Sequence, residues 1–200
     1  YLAKSPGLYT ALQDNRFRYD TSGDSHADEW PAKKDGIWRF NLVGLQVHGT
    51  RRATLSMDYN FLIAQSMGFS NPRHHAQFRE QMLQTYLDYF KANYSGNRAP
   101  LHIGHHFTSY QGGVYNQALK AFARKVCGLP EVRCVTYVKL ADFMDGLDAA
   151  TLKAYAAGDF PRVSAPTLTT ADAFKGEPLE VGSREAVAVK SSPQRSGARN

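Results

Sequence analysis

The sequence has no run of apolar residues near the roughly 18 that a membrane-crossing helix requires, so no membrane span is expected. It has only two cysteines, Cys127 and Cys134, too few and wrongly spaced for a thiolate zinc site. They flank Gly128, Leu129, Pro130 and Glu131. This leaves either a disulfide, in an oxidising compartment, or two buried free thiols. The disulfide is the favoured of the two, because Cys127 ends a predicted helix and Cys134 enters a predicted strand. No secretory leader is visible, and the chain opens at Tyr1 rather than at a methionine, so an upstream segment is expected. Concentrated charge is lacking too. The net charge is +6, but the densest basic groups are pairs: Lys33-Lys34, Arg51-Arg52 and Arg124-Lys125. Nucleic-acid binders gather their cations on one stripe, so a nucleic-acid partner is not expected. There is no internal repeat.

What is present is alternation between two periodicities. Residues 5–14 read as a helix with Ser5 as cap, Pro6 in the first turn and Leu8, Ala11 and Leu12 as an apolar stripe. Phe17, Arg18 and Tyr19 make a short strand, followed by a polar loop over 21–26. Residues 37–42 alternate with period two, as in a half-buried strand. Residues 43–56 are ambiguous, broken by Gly44 and Gly49. The strongest helix covers about 72–94, where Phe78, Met82, Tyr86 and Phe90 recur every four residues between Asn71-Pro72 and Gly96. Residues 100–107 read as a strand running into a loop, 114–126 as a helix and 132–138 as a β-branched strand. One or two short helices fit 139–157. Strands alternating with helices predict an α/β fold with a largely parallel sheet. Residues 161–200 turn to Ser, Thr, Ala, Pro and Gly and predict a disordered tail, or else a short segment over 180–189 that docks on the body.

Three of the seven histidines fall within five residues, at His102, His105 and His106, where a strand ends. In α/β folds, sites form at such ends. Alternation puts Leu101, Ile103 and His105 on one face and His102, Gly104 and His106 on the other. If that face lines the interior, His105 emerges at its mouth, where an imidazole can act as general acid; the alternative is that one or more of these histidines are structural, bonded to a main-chain carbonyl or exposed. Adjacent strand residues diverge, so His105 and His106 alone do not make a metal site. His74-His75, about 100° apart on a helix, read as solvent-facing. Asp58, Tyr59 and Asn60 mix carboxyl, aromatic ring and amide. They suit either a sugar site, with rings stacking and polar groups bonding hydroxyls, or a helix cap with core aromatics. Trp30 and Trp38 are either stacking platforms or core.

Taken together, several segments resemble the polysaccharide deacetylases of the NodB-homology type. Tyr1-Leu2-Ala3-Lys4-Ser5-Pro6-Gly7-Leu8-Tyr9 resembles the stretch after that family's Arg-x-Pro-Tyr motif, with Tyr1 as its last residue. Asn15-Arg16-Phe17-Arg18-Tyr19-Asp20-Thr21-Ser22 resembles the strand that follows. Trp30-Pro31 with Gly36-Ile37-Trp38-Arg39-Phe40 resembles the segment bounding the groove. Leu101-His102-Ile103-Gly104-His105 resembles the late Leu-x-Leu-x-His motif.

The resemblance spans residues 1–146. It implies that residues 1–160 are the C-terminal part of a deformed (β/α) barrel, with 161–200 as a tail. It implies His105 as general acid and the Tyr1 N–H as an oxyanion donor. Leu101 and Ile103 would line the acetyl pocket, and Glu29-Trp30 would stand where many members carry Asp-Trp. The substrate would be an acetylated polysaccharide losing N- or O-acetyl groups, and the location secreted, periplasmic or cell-surface. The family's divalent metal, usually zinc, is held by motifs upstream of Arg-x-Pro-Tyr. This chain alone would therefore hold none, and the missing N-terminal half of the domain would be its partner. The alternative is a non-catalytic carbohydrate-binding or pseudoenzyme module.

Overall fold

The computed structural model describes residues 5–162, 164, 166–177 and 179. Helix α1 (Pro6–Asp14) begins where the Ser5 hydroxyl accepts the Leu8 N–H at 3.2 Å. Short strands follow: β1 (Tyr19–Asp20), β2 (Asp24–Ser25), β3 (Ala32–Lys34), β4 (Ile37–Arg39), β5 (Leu42–Gln46) and β6 (Ala53–Leu55). Asp35 and Gly36, both at positive φ, make the tight turn of the β3–β4 hairpin. β5 and β6 also pair antiparallel. The segment from β1 to β2 runs parallel beside β4 and β5, with Tyr19 opposite Trp38 and Asp24 opposite Leu42. A side chain at Gly23 would displace the Asn41 amide, which lies against it.

The strands form two three-stranded sheets, ordered β1-β4-β3 and β2-β5-β6. The mixed α/β character expected from the sequence is therefore present, although the sheets are small and of mixed direction. Among the described residues, no strand pairs along the outer side of β1 or β2.

The helices are α2 (Asp58–Ser66), α3 (His75–Ser95), α4 (Val114–Val126), α5 (Tyr137–Asp145) and α6 (Ala149–Ala157), with single 3₁₀ turns at Pro72–His74 and Tyr110–Gly113. The four-residue spacing of α3 does what it predicts. Phe78, Met82, Tyr86 and Phe90 are buried and pack on Val114, Ala118 and Phe122 of α4. Each such side chain contributes about 1.5–3 kcal/mol by leaving water. A second, smaller core sets Trp38 and Phe40 against Ala141 and Met144 of α5.

Three expectations change. Residues 132–138 are not a strand: 132–136 is loop, and Tyr137 and Val138 begin α5, capped by the Thr136 side chain. Cap and tertiary contact override β-propensity there, since Tyr137 is drawn under Phe40 and His102. Residues 100–107 form an extended segment with one parallel bridge, Met57 to Gly104, rather than a full strand. Past residue 160, Leu168, Ala173, Phe174 and Leu179 pack on the main core. The Arg79 guanidinium sits 4.0 Å from the Phe174 ring, and Arg124 pairs with Glu177 at 2.7 Å. The segments 180–189 and 191–200 lie outside the described residues. Cys127 and Cys134 are joined in a disulfide, which closes the choice left open by spacing.

Candidate functional site

The site begins with the single bridge. Gly104 N–H donates to Ser56 O at 2.9 Å, and Asp58 N–H donates to Gly104 O at 3.2 Å. Main-chain bonds thus hold the residues after Gly104 beside the first turn of α2. A Cβ on Gly104 would meet Leu42 at 3.3 Å, so the approach is close.

Asp58 is wholly buried, at 0% side-chain exposure. Its Oδ1 accepts the Tyr59 N–H at 2.8 Å and lies 2.6 Å from His106 Nδ1, and its Oδ2 accepts the His106 main-chain N–H at 2.9 Å. As first residue of α2, its charge also suits the positive end of the helix dipole. His106 is therefore clamped twice by one carboxyl group. With Asp58 as acceptor, the ring hydrogen belongs on Nδ1, and Nε2 is left for another partner. The ring is 48% exposed and stands edge-on to Tyr59 and Tyr110.

His105 turns the other way. Its side chain is 1% exposed, and Nε2 lies 3.1 Å from the Tyr86 hydroxyl. Burial pushes the Tyr86 phenol well above its ordinary pKa, so it stays protonated and donates to Nε2. Burial likewise lowers the His105 pKa, against the opposing pull of Asp58 and the Asn116 side chain. Nδ1 is 3.9 Å from Asp58 Oδ2, too far for a hydrogen bond. His102 is buried on the opposite face, edge-on to Tyr137, with its pKa also lowered by burial.

A pocket of about 350 Å³ opens between these groups. Thr21, Leu42, Met57, Ile103 and Tyr137 are among its walls, and His102, His105 and His106 border it. The arrangement can hold an apolar fragment of a ligand beside an oriented imidazole. The Asp58–His106 pair can take or give a proton at Nε2, with the carboxyl group fixing ring orientation and stabilising the imidazolium that forms.

The expected site residues divide sharply. Asp58, Tyr59, Ile103 and His105 do come together. His105 does not emerge at the mouth, however, because its ring is taken into the core by Tyr86, and His106 is the presented imidazole. Leu101 packs on the main core. Asn60 is half-buried in the first turn of α2 and does not border the pocket. Neither tryptophan borders the pocket. Trp38 is buried and donates to Asp145 at 2.8 Å, while half-buried Trp30 donates to Asn97 O at 2.9 Å and packs on Tyr155. Glu29 accepts the His26 N–H within its own loop. Tyr1 lies outside the described residues.

Among the described residues, no group of three or more His, Cys, Asp or Glu side chains converges as metal donors. Sequence reading missed Tyr86, Tyr137 and the role of His106. Tyr86 was visible only as a core position of α3. Pairing His106 with Asp58, 48 positions earlier, depends on a bridge without local signature.

No family model, curated protein or solved structure matches the chain.

Proposed function

We propose that this chain is the proton-donor part of a polysaccharide deacetylase, an exported hydrolase that removes N- or O-acetyl groups from a carbohydrate polymer. The observation that carries the reading is the Asp58–His106 pair: a buried carboxyl group 2.6 Å from Nδ1 of a half-exposed imidazole, on the rim of a pocket with apolar walls. In this reading His106 protonates the departing amine or alkoxide at Nε2. His105, which the motif register designates, stands behind it as a neutral core residue tied to Tyr86. Met57, Leu42 and Ile103 would receive the acetyl methyl.

Two further features support the reading. The chain from β1 to β2 runs parallel to β4 and β5 and lies at a sheet edge, as expected of one portion of a larger deformed barrel. The Cys127–Cys134 disulfide is compatible with an exported protein. The metal and the attacking water would be handled by residues outside this segment, in the missing N-terminal half.

The second reading is a carbohydrate-binding module without chemistry. It is favoured by the sealed His105 ring. Acetate release from acetylated oligosaccharides, measured on the chain joined to the metal-binding half that the first reading requires, separates the two. His106→Ala is expected to lower turnover about 10²-fold in a chain that still folds, at a stability cost of about 1–3 kcal/mol for the donor that buried Asp58 loses. His105→Ala is expected to lower stability first. Full activity in His106→Ala, with loss in a stably folded His105→Ala, would reverse the assignment. No release by the wild-type protein, alongside oligosaccharide binding, would favour the module.

A further inference from the structure

The C-terminal end of α2 turns its apolar side chains outward. Ile63 is 43% exposed, Met67 80% and Phe69 73%. Isolated exposed apolar residues are ordinary, but three gathered at one helix end mark an interaction site. The turn is not loosely held. Met67 adopts the left-handed conformation that closes the helix, and the Met67 and Gly68 N–H groups return to Ile63 O and Leu62 O. Arg52 Nη1 donates to Ala64 O and Gln65 O at 2.8 and 3.1 Å. From beneath, the buried Gln111 amide donates to Phe69 O and Ser66 Oγ, and its carbonyl accepts the Asn71 N–H. Gln111 itself sits at a φ of 51°, a conformation costly for a side-chain-bearing residue. The fold braces this turn firmly and still leaves its apolar side chains in water.

Charge is segregated around the same turn. Arg52, bonded to the Ala64 and Gln65 carbonyls, is exposed, as are Arg51 beside it in sequence and Arg73 in the segment that follows the turn. Between residues 51 and 79 the sole acidic residue is Asp58, which is buried. An apolar tip accompanied by cations is the chemistry of a membrane interface: apolar side chains enter the acyl boundary while the cations meet anionic headgroups. A second copy of the chain fits less well, since a two-fold contact here would set these arginines against their own equivalents.

We propose that the turn over residues 63–69 docks the protein on an anionic lipid surface. The proposal is independent of the deacetylase reading and uses none of its residues. The test is co-sedimentation of the 200-residue chain with vesicles of phosphatidylcholine containing phosphatidylglycerol, and with phosphatidylcholine alone. Binding is expected on the anionic vesicles, to fall as salt rises, and to be weak on the neutral ones. Arg51→Gln with Arg73→Gln is expected to weaken it about 30-fold, at roughly 5-fold per cation. Met67→Ser with Phe69→Ser is expected to weaken it about 10-fold or more. These side chains are exposed, so the fold should survive, and circular dichroism checks that it does. Absence of binding at low salt would overturn the proposal, as would undiminished binding by the Met67/Phe69 variant. So would a dimer, seen by sedimentation velocity without lipid, that this variant abolishes.

Discussion

Replacing Asp58 by asparagine tests the architecture of the site most directly. The carboxyl group accepts three N–H donors, two on Oδ1 and one on Oδ2. An amide has one oxygen and one NH₂. With its oxygen in the Oδ1 position, the NH₂ faces the His106 main-chain N–H, donor against donor. Turned over, it faces the Tyr59 N–H and His106 Nδ1 instead. The better arrangement strands one buried N–H, at about 1–3 kcal/mol, and weakens two charge-assisted bonds by about 1 kcal/mol each. The total is about 3–5 kcal/mol, which for a chain of this size lowers Tm by about 6–20 °C. Thermal unfolding followed by circular dichroism measures it. Asp88→Asn is the control: Asp88 also pairs with a histidine, His48, at 2.6 Å, but both side chains are about half exposed. Such a surface pair is worth less than about 0.5 kcal/mol. If Asp58→Asn costs less than about 1 kcal/mol, or no more than the control, the carboxyl group is not the organising element described above.

The remaining predictions concern the core and the staple. His75 turns into the core rather than to solvent as its place beside His74 suggested, and like His102 and His105 it has a pKa lowered from 6.5, chiefly by burial. The unfolded chain therefore binds more protons than the folded one once pH drops below about 6.5, so stability falls from there toward pH 5 and does not depend on these groups above about 7.5. Tm measured from pH 5 to 8 should decline on the acid side, with a shallower slope in His105→Gln; a Tm that rises toward pH 5 would contradict the burial of these rings. Reducing the Cys127–Cys134 bond, which spans a sequence separation of 7, should remove about 2.5 kcal/mol and lower Tm by roughly 5–10 °C. An unchanged melt in dithiothreitol, with free thiols verified, would show that the staple contributes little.

Much of the helical framework was legible in the sequence, because its causes are local. Apolar residues every four positions from Phe78 to Phe90 dictated both α3 and the face it buries, and the run from Val114 to Val126 matches α4 in both bounds. Ser5 and Pro6 started α1 by cap chemistry alone. The clustered histidines near residue 105 do border one pocket. Only tertiary structure decided which imidazole faces outward. Tyr86 on α3 and Asp58 on α2 compete for two adjacent rings; the first draws His105 into the core and the second holds His106 at the rim. Both partners are far away in sequence, and a single main-chain bridge at Gly104 brings them together. The same holds for Trp38, whose indole is consumed by Asp145 across 107 positions, and for residues 132–138, whose strand-like composition yields to a cap and to the packing of Tyr137. Periodicity reports which face of an element is buried; it carries no information about which distant side chain waits there.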